Sequence, residues 1–171
     1  GSRLIRHALH SAHPIDDSNW LWLLEGALEK AGCRRKVRLL SRDAVEVPAT
    51  VGVLRPTIVL PPQAAPWPYD RRRAVLLHEA IHVARFDWPV RTIARVARAA
   101  YWFNPLIWWA VRRLDLEQEI ACDEEVLALG TGASDYACHL LGVARHAVPT
   151  PPPANPALGM ARRTHREERI M

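Results

Sequence analysis

The densest chemistry in the chain lies in His78-Glu79-Ala80-Ile81-His82. On a helix, positions four apart share a face, so both imidazoles can grip one ion. Glu79 lies within reach of that face, where a carboxylate can take a proton from water and pass it on. Leu76-Leu77 and Val83-Ala84 flank this trio and place it in an apolar stretch. Burying two imidazoles and a carboxylate for packing alone is costly. Metal binding explains them better.

A catalytic metal site needs a third protein ligand and an open position. Glu117 and Glu119 follow on a second helical stretch, about 200° apart at 100° per residue. Glu117 falls beside Arg113 and Glu124, on a solvated charged face. Glu119 falls near Asp123, between Trp108 and Val126 on one side and Leu116 and Leu127 on the other. Glu119 is the expected ligand. Glu117 is the alternative, and an ion pair with Arg112 is the competing structural role for Glu119. Asp123, one turn on, is placed to receive the free ring N–H of a ligand histidine and fix its tautomer.

These groups need elements to hold them. Asp17-Ser18-Asn19 opens a helix through Leu28 that Gly32 stops. Val37–Ser41, Val45–Val47, Thr50–Val53 and Thr57–Leu60 predict three or four short strands linked by hairpins. Asp70 is expected to cap the histidine helix, about residues 71–85. Pro89 is expected at the first position of the next helix, and Asn104-Pro105 starts a third that Gly130 ends. A shorter helix is predicted over about residues 134–146. The fold class is α+β: a small, mainly antiparallel sheet packed on the histidine helix and a glutamate-bearing helix. Residues 1–16 are expected to be a flexible segment opening on a Gly-Ser cloning scar. Residues 17–147 form the metal-binding domain, and residues 148–171 a Pro-rich linker with a truncated charged tail.

Composition sets the bounds. The 171 residues are 49% hydrophobic and 24% charged, which excludes wholesale disorder and fibrous repeats. No apolar run reaches the about 20 residues of a membrane span. Three cysteines without Cys-x-x-Cys spacing argue for a reducing compartment. Lys+Arg exceeds Asp+Glu by 23 to 18, and seven Trp stand against two Phe. Arg91, Arg95 and Arg98 form a helical stripe ahead of Tyr101–Trp109, a pattern that fits an anionic membrane surface. Core packing is the alternative. Nucleic acid is not expected, because a recognition helix needs polar residues at its start.

Four stretches carry a resemblance to a family. They are Pro48–Pro61, Leu77–Asp87, Trp102–Trp108 and Glu119-Ile120-Ala121-Cys122-Asp123. The pairing of His78-Glu79-x-x-His82 with a later Glu119-x-x-x-Asp123 resembles the gluzincin metallopeptidases, and more closely the BlaR/MecR-type antirepressor peptidases. The resemblance implies a minigluzincin-like fold and one zinc per chain held by His78, His82 and Glu119. It implies Glu79 as general base and later proton donor. It also implies a bacterial inner-membrane protein whose protease domain faces the cytoplasm between transmembrane helices. The implied function is a zinc endopeptidase that cuts a regulatory protein or itself.

The chemistry then asks for more groups. An oxyanion needs a second donor, for which His139, Tyr136 and Arg55 are the choices. An extended substrate would pair with a strand edge, either Val51-Gly52-Val53-Leu54 or its partner Thr57–Leu60. Expected partners are a protein or peptide substrate, and missing transmembrane helices or an anionic membrane surface near Arg91–Trp109, with self-association through that segment. The rival functions are a catalytically silent zinc-binding signalling module and, further off, a DNA-binding regulator.

Overall fold

The computed structural model describes residues 12–43, 45–130, Gly132 and Tyr136. The elements run β1 (Ala12–Pro14), α1 (Ser18–Lys30), β2 (Arg38–Arg42), β3 (Ala49–Val51), β4 (Thr57–Leu60), α2 (Tyr69–Ala84), α3 (Asp87–Ala100) and α4 (Pro105–Ala128), with a short 3-10 turn at Pro62–Ala64. The fold is α+β.

The sheet has four strands in the order β1-β2-β4-β3. The pairs β1–β2 and β3–β4 are antiparallel, as a hairpin reading requires. The central pair β2–β4 is parallel, with Leu39 opposite Ile58 and Leu40 opposite Val59. A sheet of hairpins alone is therefore corrected to a mixed one. The reason lies in β3, which crosses to the far side of β4 and becomes an edge, so β4 returns alongside β2 in the same direction. Val45–Val47 forms no strand; residues 46 and 47 bend toward β3. At the other edge, β1 lies in the stretch expected to be a flexible segment. Its backbone joins the sheet, with His13 opposite Ser41.

Helix α2 is the centre of the molecule. Ala74, Leu76, Leu77, Ala80 and Ile81 are buried, and so are Glu79 and His82 on the other faces. A helix buried almost all round must be covered on every side. Here α1 contributes Trp20, Leu23, Leu24 and Ala27, the sheet contributes Leu39, Ile58 and Leu60, and α4 contributes Cys122 and Val126. Its start differs from expectation. Pro68 is the N-cap residue and makes no side-chain cap bond, while Asp70 sits in the first turn and favours the helix through its charge.

Helix α3 starts two residues before Pro89, which occupies the first turn, where a missing N–H costs nothing. Asn104 caps α4 by accepting the Leu106 N–H at 2.9 Å, and Pro105 follows at the first helical position. The junction after α4 uses Gly130 at φ +90°. Ile93, Val96, Tyr101, Trp102, Phe103, Leu106 and Trp109 form an exposed apolar face along α3 and the start of α4. No helix among the described residues is long and apolar enough to cross a membrane. The helix expected near residue 140, together with Cys138, His139 and the linker, lies outside the described residues apart from Tyr136.

Two glycines test the backbone argument. Gly52 turns the chain between β3 and β4 at φ +95°, and a Cβ there would lie 2.7 Å from the Arg55 carbonyl oxygen. Gly26 sits in α1 with open space around it. Gly52→Ala should destabilise by about 1–3 kcal/mol, whereas Gly26→Ala should stabilise by about 0.5–1 kcal/mol. Urea unfolding of both variants, followed by circular dichroism, checks the opposite signs.

Candidate metal centre

His78 and His82 lie one turn apart on α2, and their Nε2 atoms approach to 3.1 Å. From α4, Glu119 Oε2 reaches 3.5 Å from His78 Nε2, and Oε1 reaches 3.7 Å from His82 Nε2. The other nitrogen of each ring is engaged behind this meeting point. His82 Nδ1 donates to Asp87 Oδ2 at 2.7 Å, with both side chains buried. His78 Nδ1 donates to the Tyr136 hydroxyl at 2.7 Å, which in turn donates to Asp123 Oδ1 at 2.6 Å. Asp123 itself lies 3.3 Å from His78 Nδ1. The expected Asp123 contact is thus present and is shared with Tyr136.

These partners settle the tautomers and test the fit of a metal. With both Nδ1 atoms donating, both Nε2 atoms present lone pairs toward each other and toward a carboxylate. Three acceptors converging on one point need a positive charge between them. The protonation equilibria express the same demand. Burial acts to lower the pKa of His82, but hydrogen bonding to Asp87, Cys122 and Glu119 overrides it, pushing the value up to about 11. Burial likewise opposes the charged form of His78, and Asp123, Cys122 and Glu119 raise its pKa well above the usual imidazole range. Hydrogen bonding to His78 and His82 holds Glu119 well below the usual carboxylate range. Protons meet the demand here, and a divalent cation fits the same donor set.

Cys122, absent from the expected donor set, stands beside it. Its Sγ and one ligand nitrogen from each histidine lie within 4.8 Å of one another. The thiol is fully buried and donates to the His78 carbonyl oxygen at 3.3 Å. Its position three residues after Glu119 was the available signal, since i and i+3 share a helix face.

Glu79 is buried, and its Oε2 accepts from Thr50 Oγ1 at 2.7 Å. The two residues share a cavity of about 220 Å³ with His78, His82 and Glu119. Residues 47–50, Trp88 and Arg91 also line it. The segment that lines the cavity is 47–50, whose last two residues belong to β3, and residues 51–54 are not among the lining. Val51 ends β3, and Gly52, Val53 and Leu54 belong to the turn beyond it. Arg55 lies in that turn too and does not line the cavity. Tyr136 sits on the Nδ1 side of His78, away from the Nε2 atoms. His139 lies outside the described residues.

Two groups on α3 enter the site unannounced by spacing alone. Asp87 is brought back to His82 by Phe86, a non-glycine residue at φ 59°, a left-handed conformation of the kind that persists where surrounding structure enforces it. The Arg35 guanidinium stacks 4.7 Å from the Phe86 ring centroid. Arg91 turns inward, away from the expected surface stripe, and bonds Gln118 and Glu119. It takes the place of Arg112 as the ion-pair partner of Glu119. Of the stripe, Arg95 stays exposed, and Arg98 lies 4.9 Å from the Trp108 ring centroid.

Known proteins share sequence with this chain. The chain is 34% identical over 113 residues to the regulatory protein BlaR1 of Bacillus licheniformis, covering 66% of this chain and 19% of the relative. It is 28% identical over 97 residues to the methicillin resistance mecR1 protein of Staphylococcus aureus, covering 56% of this chain and 17% of the relative. The mecR1 protein of Staphylococcus epidermidis matches to the same extent. The chain thus spans less than a fifth of the length of these relatives. The family described as BlaR1 peptidase M56 matches residues 1–171, and the chain belongs to that family.

Proposed function

We propose that this chain is the zinc endopeptidase domain of a bacterial signal-transducing protein, with His78, His82 and Glu119 as metal ligands and Glu79 as general base. One observation carries the reading. A buried carboxylate, Glu79, faces the same cavity as the two Nε2 atoms and Glu119, and it is tied to Thr50 rather than drawn into that cluster. A purely structural metal site has no use for such a carboxylate, which disfavours the catalytically silent alternative. Bound zinc would lower the pKa of water to about 7 and polarise a carbonyl. Glu79 accepts the proton of the attacking water and returns it to the leaving amine. Thr50 fixes one oxygen of Glu79 and leaves the other to do this work. Asp87, and Asp123 acting with Tyr136, hold the imidazoles in the tautomer that presents Nε2.

The substrate is a polypeptide segment of a regulatory protein or of the protein itself. Strand β3 is a sheet edge beside the cavity, so an extended peptide can add there as a further strand. The exposed aromatic and aliphatic face of α3 and α4 suits transmembrane helices or an anionic membrane surface, consistent with a domain at the cytoplasmic side of an inner membrane.

Substitution separates binding from chemistry. Glu79→Gln should keep about one zinc per chain and lose cleavage by about 10²–10⁴-fold, whereas His78→Ala, His82→Ala and Glu119→Ala should lose metal. Metal analysis by mass spectrometry, paired with a peptide-cleavage assay, checks this. Wild-type cleavage by Glu79→Gln would overturn its role.

The pH dependence has a definite sign. With the His82 pKa raised to about 11, the metal-free site keeps imidazole protons at neutral pH. Zinc must displace them, so loading should release about one to two protons and affinity should rise with pH between about 6 and 9. Titration calorimetry in buffers of different ionisation enthalpy measures the release.

The apolar face gives a third expectation. The domain should co-sediment with anionic vesicles and less with neutral ones, weakening at high salt, each surface arginine adding about 1 kcal/mol. A monomer that stays in the supernatant with both vesicle types would refute the membrane partner and leave the zinc reading intact.

A further inference from the structure

We propose that Arg91 is a positioning residue that reserves one oxygen of Glu119 and leaves a single oxygen for the metal; this rests on the zinc-peptidase reading above. Arg91 projects from the start of α3 into the cavity wall. Its Nε donates to Gln118 Oε1 at 2.7 Å, and a terminal nitrogen donates to Glu119 Oε1. Gln118 is buried, and Asp115 Oδ1 lies 3.6 Å from the same Nε, so the guanidinium is anchored by two residues of α4. Glu119 is 45% exposed and would otherwise be free to rotate. The guanidinium holds Oε1, which also lies 3.7 Å from His82 Nε2, and leaves Oε2 turned to His78 Nε2 at 3.5 Å.

The consequence is chemical. A carboxylate that offered both oxygens would fill the position a catalytic metal must keep open. An oxygen already bonded to a guanidinium has one of its two lone pairs engaged and a positive charge beside it, so it is a poorer donor to a cation than its free partner. The planar fork of arginine suits this double duty toward Gln118 and Glu119, which the point charge of lysine cannot reproduce. Arg91 would thus act through Glu119, and a direct contact with substrate is the competing role.

Cobalt-loaded protein distinguishes these. In the full chain, Arg91→Ala should still bind one Co²⁺. Its visible absorption should weaken and X-ray absorption should show an added oxygen ligand, with cleavage reduced about 10–100-fold. Gln118→Leu, which removes one anchor and leaves the Asp115 contact, should shift the spectrum the same way and less, and Arg91→Lys should recover it only in part. Gln118→Leu also serves if Arg91→Ala does not fold. Cobalt spectra identical in wild type and variants overturn the proposal, and a cleavage loss with those spectra assigns Arg91 to the substrate instead. Failure of the wild-type protein to bind cobalt overturns the zinc reading and this inference with it.

Discussion

Two imidazole Nε2 atoms held 3.1 Å apart, with both Nδ1 hydrogens already given away, constrain everything around them. Neutral rings in that arrangement repel, and the repulsion ends only when a positive charge is shared between them. Every nearby acidic group raises the demand. Asp87 and Asp123 stand behind the rings and Glu119 stands in front. A site built this way favours cations, because buried Asp87 and the half-exposed Asp123 and Glu119 all place negative charge against the rings.

Holding the rings in place needs a rigid support, and α2 is rigid because it is enclosed. Apolar side chains from α1, the sheet and α4 cover it, so the histidine backbone has no room to move. The remaining ring freedom is taken by groups from two other elements. Helix α3 supplies Asp87 to His82 and Arg91 to Glu119, one hold on a residue of α2 and one on a residue of α4. This first stretch of α3 ties both helices of the candidate site to a third.

Much of this was legible in the sequence, for reasons that differ by residue. His78, Glu79 and His82 stand out because a four-residue helical spacing is a local property. Glu119 and Asp123 were legible because helical phase set them in an apolar wall. Asp87 and Arg91 were not, since their contacts depend on the reversal at Phe86, a left-handed residue that no propensity announces. The parallel pairing of β2 with β4 was hidden for a similar reason. Strand texture identifies the strands, but only the route of the chain decides which side of β4 receives β3. That residues 47–50 line the cavity while 52–54 do not follows from the same route, because Gly52 turns the chain one residue after β3 ends.

The two faces of α3 meet different worlds, and that is the last consequence of its placement. Asp87, Trp88 and Arg91 face the cavity, while Ile93 and Val96 point away from it and are open to solvent. The helix gains little from that outer face in water, since exposed aliphatic groups offer no burial. It is kept in register at its start by two charged contacts instead, His82–Asp87 and Arg91–Glu119. Any cover placed over the outer face would add apolar burial along the rest of the helix. The contacts at the candidate site and the exposed apolar surface are therefore carried by one helix, α3.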